Sequence, residues 1–169
     1  METRIRKARK ADIPELAELL KLFREEHSRL IGGDKTVDTK ETLKETKTNI
    51  EKTARGYFVA ELDDGRLIGY RSWELRDEYY FTKELFVKQK YRREGVARKL
   101  IRELEDWLKK RDQDSACISC VPQNLAMINL ARSEGYTILN QIELRKNLTE
   151  DPAEPNEKRN ALGYSWEIY

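Results

Sequence analysis

Apolar residues recur at steps of three and four after Gly95: Val96, Leu100, Leu104, Trp107 and Leu108 fall on one side of a helix over about 95–111, with Arg98, Lys99, Arg102, Glu103 and Lys109 mostly elsewhere. Ahead of it the period shortens. Runs over 57–62 and 66–75 flank Asp63-Asp64-Gly65, a compact turn signal, and predict a hairpin. The run 79–87 adds a third antiparallel strand that leads directly into the turn before the helix. Nearer the start, Arg4 to Ala8 alternates as a short strand. Asp12 then stands as an N-cap, Pro14 and Glu15 suit a first helical turn, and Ile13, Leu16, Ala17, Leu19, Leu20 and Phe23 supply a wide apolar face. His27 near the end of that helix reads as a solvent-facing or capping residue.

A second helix is expected from the Asp38/Glu41 capping box to about Thr53, on a thin stripe of Leu43, Ile50 and Ala54. After the helix at 95–111, residues 115–121 read as a strand reached by a crossover of helix length, and therefore parallel to 79–87. Asn124 heads an apolar helix carrying Met127, Ile128, Leu130 and Ala131, which ends at Gly135. A strand over 138–148 with alternating Ile142 and Leu144, a charged loop over 149–160 and a closing strand over 162–169 complete the chain as a long hairpin. The expected class is α/β (α+β): a mixed, mainly antiparallel central sheet flanked by helices.

With 169 residues the chain is read as one domain over 1–169, with a C-terminal strand hairpin at about 136–169. Charged residues make up 38 %, yet the net charge is only +2, which argues against general nucleic-acid affinity. The basic cluster of Lys88, Lys90, Arg92, Arg93, Arg98, Lys99 and Arg102 is broken by Glu94, Glu103, Glu105 and Asp106. No apolar run reaches membrane-spanning length and no signal-peptide core follows Met1, so no membrane partner is expected and the cytoplasm is the expected location. Cys117 and Cys120 have redox or metal-ligand spacing, but an odd offset on a strand sends them to opposite faces and no second Cys/His pair exists. They read as reduced core and near-core thiols, and no metal is expected. Tyr164 and Trp166 read first as core and second as a homodimer contact.

The chemistry gathers at 92–98. Gly95 and Ala97 keep the turn free of bulk, so a ligand reaches the backbone amides that a first helical turn leaves unpaired. Those amides and the helix dipole attract an anion, and Arg92, Arg93 and Arg98 add guanidinium forks suited to phosphate oxygens. The expected guest is a phosphate or pyrophosphate, although neither a Walker loop nor the three-glycine dinucleotide fingerprint is present.

Arg92, Gly95 and Ala97 together resemble the acetyl-CoA-binding motif Arg/Gln-x-x-Gly-x-Gly/Ala of the GNAT superfamily of N-acyltransferases. Glu84-Leu85-Phe86-Val87 with Tyr91 upstream, and Val121-Pro122-Gln123-Asn124 and Glu134-Gly135-Tyr136 downstream, extend the resemblance over about 4–148. It implies a sheet whose fourth and fifth strands, 79–87 and 115–121, run parallel and splay apart. In that V the pantetheine arm of acetyl-CoA would pair with the backbone of Phe86 and Val87. The turn of Arg92, Arg93, Glu94, Gly95, Val96, Ala97 and Arg98 would hold the pyrophosphate, and Asn124 would cap its helix or bond the arm. The thioester carbon would lie between Leu85 and Val121.

The implied activity is direct transfer of an acetyl group to a primary amine of a small molecule or protein. Glu84 is the candidate general base, weighed against a structural role, and a backbone amide at the bulged end of its strand is the expected oxyanion partner. Where the family commonly places a tyrosine that protonates the departing thiolate, this chain has Ala131. That departure raises an alternative: a GNAT-like domain that binds acyl-CoA as a sensor with weak or no turnover.

Overall fold

The computed structural model describes residues 2–52, 55–76, 79–146, 148 and 157–168. The features expected at Thr53, Ala54 and Tyr169, and in the loop over 149–156, lie outside them.

The three strands read in the middle of the chain form as expected and recruit the first one. Strands β1 (Thr3–Lys7), β2 (Arg55–Leu62), β3 (Leu67–Arg76) and β4 (Tyr79–Val87) make an antiparallel sheet in chain order. The β2–β3 turn closes through Leu62 N donating to Arg66 O at 3.0 Å. Asp64 Oδ1 also accepts from Arg66 N at 3.1 Å, the local bond that makes aspartate a turn former.

Helix α3 (Val96–Lys109) packs its stripe of Val96, Leu100, Leu104, Trp107 and Leu108 onto Phe58, Ala60, Leu62, Ile68, Trp73 and Val87. The Trp73 and Trp107 rings meet at 4.5 Å between centroids. Across the sheet, Leu16, Leu19 and Leu20 of helix α1 (Ile13–Leu30) pack with Tyr57, Val59, Leu67, Tyr70 and Phe86. Each buried leucine contributes about 1.5–3 kcal/mol, so these two stripes fix the sandwich of helix, sheet and helix.

Asp12 differs from its expected role. Its carboxylate accepts from Arg6 at 2.7 and 2.8 Å and from Arg9 N at 2.6 Å, closing the short turn ahead of α1 rather than capping the helix. Arg6 also donates to Glu61, which ties β1 to β2 and to the start of α1.

Helix α2 (Thr39–Glu51) is capped by Asp38, whose Oδ1 accepts from Lys40 N at 2.8 Å, but it turns a different face inward. Thr42, Thr46 and Asn49 are buried; of the expected stripe Ile50 is partly buried against the α1 cluster, while Leu43 is 40 % exposed. The reason is chemical: Asn49 Nδ2 donates to the buried Tyr57 hydroxyl at 2.8 Å, and Arg24 of α1 donates to Glu45 at 2.9 Å. Two polar pairs outweigh a thin apolar stripe in setting the rotation.

Beyond α3 the structure departs from the sequence expectations. Residues 115–121 touch β4 through a single parallel bridge, Thr82 to Ile118, supported by the Thr82 hydroxyl donating to the Cys117 carbonyl. The parallel neighbour is present as one bridge instead of a ladder. Cys117 and Cys120 are consequently exposed free thiols, not core residues, because no regular strand lays them on the core. Residues 138–146 form no strand, and Ile138, Leu139 and Leu144 are 87, 70 and 66 % exposed. A period of two orders a strand only where an edge offers pairing, and no described edge does so here. The closing strand β6 (Tyr164–Ile168) pairs instead with β5 (Glu157–Ala161), around a tight turn at Leu162 and Gly163 where φ is 54° and 80°. Helix α4 (Leu125–Ser133) begins at Asn124 as expected, its Oδ1 accepting from Met127 N at 3.0 Å.

Candidate active site

The turn between β4 and α3 leaves the start of the helix open. Gly95 has φ 77° and Arg93 φ 68°, so the backbone bends through the left-handed region twice within three residues. A Cβ on Gly95 would meet nothing within 4 Å, and open space therefore lies over the first amides of α3. Arg92, Arg93, Glu94, Gly95 and Arg98 are exposed, Ala97 is half-buried, and Val96 anchors the turn in the core.

The arginines differ in how free they are. Arg92 donates from Nε to Val87 O at 2.8 Å and from Nη2 to Glu26 at 2.7 Å. Arg98 pairs with Glu134 at 2.7 Å and donates to Ser133 at 3.0 Å. Glu134 also takes Arg102 at 2.9 Å, so the three side chains staple α3 to the end of α4. Arg93 has no ion-pair partner among the described residues.

From this turn β4 runs back along an edge that is bridged at Thr82 and carries no further bridge up to Val87 among the described residues. Phe86 and Val87 are buried and pair on the other side with Tyr70 and Gly69 of β3. A Cβ on Gly69 would sit 2.6 Å from Phe86 O, so glycine there permits the close approach of the two strands. The register also shifts: Arg71 faces Leu85 while Trp73 faces Thr82, which leaves one extra residue on β4 at Lys83–Glu84. Glu84 N donates to Ser72 Oγ at 3.0 Å. Such a bulge re-aims side chains, and here it sends Glu84 into a cleft of about 70 Å³ between β4 and residues 118–121.

Two sets of side chains meet in that cleft. On the α1 side lie Phe23, His27 and Glu84; toward α4 lie Leu85, Arg71, Asn124 and Met127, with Val121 on the facing segment. Desolvation pushes the Glu84 carboxyl above the usual carboxylate range, partly opposed by Arg24, whose guanidinium is 4.0 Å away. Tyr70 donates to Glu84 Oε2 at 3.2 Å, and burial raises the Tyr70 hydroxyl well above the ordinary tyrosine value, so it remains a donor. Burial likewise pushes Tyr57 up to about 12, with Asn49 as its partner.

His27 therefore lies in the cleft wall, stacked on Phe23 at 5.7 Å, and not on open surface; the α1 spacing from Phe23 to His27, one turn apart, carried that signal. Arg71 was not singled out by sequence at all, although a cation within the apolar run Ile68-Gly69-Tyr70-Arg71-Ser72-Trp73 is the kind of exception that marks one. Ala131 is the buried residue of α4 and presents only a methyl group. Among the described residues no cluster of three or more His, Cys, Asp or Glu could hold a metal, and no helix is long and apolar enough to cross a membrane.

The last strand of the sheet thus ends in an open edge, a bulge that carries a carboxylate, and a glycine-led helix start. The chain belongs to the Acetyltransferase (GNAT) family, whose sequence profile matches residues 16–136. No curated protein matches it closely enough to assign a relative. Among solved structures it is similar to the aminoglycoside acetyltransferase AAC(6')-Iy in complex with a CoA-containing bisubstrate analogue, at 18 % identity and a TM-score of 0.72, covering 88 % of this chain and 100 % of that one. The aminoglycoside 6'-N-acetyltransferase AAC(6')-Ih from Acinetobacter baumannii aligns at 18 % identity and a TM-score of 0.69, over 88 % and 100 % of the two chains. A ribosomal-protein-alanine N-acetyltransferase from Brucella melitensis aligns at 16 % and 0.66, over 86 % and 100 %. At these identities the likeness establishes the fold.

Proposed function

We propose that this protein is an N-acetyltransferase that moves an acetyl group from acetyl-CoA directly to a primary amine of a small molecule or protein. The observation that carries the reading is continuity: one open β4 edge leads from the anion turn at Gly95 to Glu84 in the cleft. The α3 amides and Arg93 hold the pyrophosphate, with Arg92, Glu94, Val96, Ala97 and Arg98 shaping the turn. Phe86 and Val87 offer backbone to the pantetheine arm, and Asn124 adds its side-chain amide while its oxygen caps α4. Because Arg92 occupies the Val87 carbonyl, the amide groups nearer the bulge carry most of that pairing.

The amine enters past Phe23 and His27. Glu84, with its affinity for a proton raised by burial, takes the proton the amine must lose. The new N–C bond forms a tetrahedral oxyanion between Leu85 and Val121. Its collapse breaks the C–S bond and releases a thiolate, which takes its proton from water since Ala131 has none to give. Two exposed free thiols suit a reducing compartment, and we place the protein in the cytoplasm as one domain over 1–169. The apolar surface at Ile138, Leu139 and Leu144 is the proposed homodimer contact in place of Tyr164 and Trp166.

Ala131 favours a second reading, an acyl-CoA sensor without turnover. A thiol-release assay with acetyl-CoA against a panel of amines and peptides separates the two. It runs beside calorimetric titration of CoA into the protein and into an Arg93→Glu, Gly95→Asp variant. Binding lost in the variant, with thiol release for some amine, supports the transferase. Binding without release supports the sensor, and no CoA binding overturns both.

A further inference from the structure

We propose that Arg71 receives a carboxylate of a bound substrate, carried by either the acyl chain of the donor or the amine acceptor. The inference rests on the transferase reading and adds to it a chemical group that acetyl transfer to a plain amine does not require.

Arg71 is 2 % exposed, and its Nε and Nη1 are buried with no hydrogen-bond partner among the described residues. No carboxylate among those residues forms an ion pair with it. Arg6, the other well-covered arginine of the sheet, shows the contrast: Asp12 and Glu61 both grip its guanidinium at 2.7 Å. The Tyr136 hydroxyl engages Arg71 and itself donates to Glu105 Oε1 at 2.6 Å, so the α3 carboxylate acts on Arg71 from behind a neutral phenol and makes no ion pair with it. A guanidinium remains protonated even when burial lowers its affinity for the proton, as it does here. Taking a cation out of water without a counter-charge destabilises the fold, and protein groups normally supply the partner.

Here the missing partner has a place to come from. Arg71 lines the cleft, directly across the ladder from Leu85, at the level where the thioester carbon is proposed to lie. Leu85 and Met127 are apolar; of the other cations and donors lining the cleft, Lys83 is paired with Glu74 at 3.3 Å and the Thr82 hydroxyl is spent on the Cys117 carbonyl. A carbonyl or a water satisfies an N–H but leaves the charge. A carboxylate does both, and arginine is the side chain best shaped for it. Glu84 on the opposite wall repels a second anion near the α1 mouth, which confines the carboxylate to the Arg71 side.

The test uses matched pairs that differ by one carboxylate. Propionyl-CoA and succinyl-CoA probe the donor; cadaverine and lysine probe the acceptor, titrated calorimetrically into CoA-loaded and unloaded protein. The carboxylated member of one pair is expected to bind about tenfold to a hundredfold tighter. In Arg71→Met, which keeps the apolar stem, that ratio falls to near one. Arg71→Lys retains part of it, and serves alone with the wild type if Arg71→Met does not fold. Preference in the first pair assigns the carboxylate to the acyl chain, and in the second to the acceptor. No preference in either pair, or one that survives Arg71→Met, overturns the inference. If CoA fails to bind while the lysine preference persists and depends on Arg71, the transferase reading fails and the carboxylate site stands.

Discussion

The two faces of the sheet solve opposite problems. The α3 face is closed with aromatic and aliphatic side chains, Trp73 and Trp107 at its centre, and it ends in a turn whose geometry is fixed by that packing. The α1 face also has an apolar base, but it keeps hydroxyls, an amide and a carboxylate among its apolar groups: Tyr57, Tyr70, Asn49, Ser72 and Glu84. Rigid packing on one side fixes the turn proposed to hold the cosubstrate. Polar groups held short of full solvation on the other side keep their proton affinities shifted, and the proposed mechanism places binding on the α3 face and proton transfer on the α1 face.

The strongest way to break that division is Glu84→Gln. It preserves shape and the Tyr70 contact but removes the base, and kcat is expected to fall by about 10²–10⁴ while CoA affinity stays unchanged. An equal loss of CoA affinity in the titration would show that the two faces do not divide the work. Next comes Leu104→Ala in the centre of the α3 stripe, where a fully buried side chain leaves a cavity. Chemical denaturation should report a loss of about 2–5 kcal/mol. Smaller again is Gly95→Asp: the left-handed φ strains a side chain and the carboxylate repels phosphate, so CoA binding weakens by about tenfold to a hundredfold with turnover at saturation largely kept.

The α3 face was also the legible one. Val96, Leu100, Leu104, Trp107 and Leu108 are all buried as their spacing predicts, because one helix lies on one sheet and periodicity is then decisive. The strands of the β2–β4 meander and the glycine turn followed from equally local rules. What failed depended on distant partners. Helix α2 hides Thr42, Thr46 and Asn49 because Tyr57 and Arg24 wait for it, and no pattern within α2 announces them. The bulge that aims Glu84 is a mismatch between two strands and belongs to neither sequence alone. Residues 138–146 carry a strand's alternation with no described edge to accept it, and Arg71 is conspicuous only once its burial is known.

The weakest effect has the most definite sign, and it sets Glu84 against Glu74 of β3. Burial pushes Glu84 up from its ordinary value, with only Arg24 and its hydroxyl partners opposing. Burial pushes Glu74 up as well, but hydrogen bonds from Arg76, Arg55 and Lys83 prevail and hold it at about 2. A carboxyl whose folded-state affinity for the proton exceeds the unfolded one contributes stability below pH 4.5, and that contribution is lost as pH rises through its folded value. The opposite holds for Glu74, whose contribution is present above pH 4.5 and disappears as pH falls toward 2. Urea denaturation across this range should therefore show Glu84→Gln gaining on the wild type as pH rises, and Glu74→Gln losing most at neutral pH and converging with it in acid. The same raised affinity places the acidic limb of kcat/KM above the ordinary carboxylate range, and Glu84→Gln removes that limb from whatever activity survives. A limb at the ordinary value, or one that persists in the variant, would assign the proton to another group, with His27 in the same wall the next to replace.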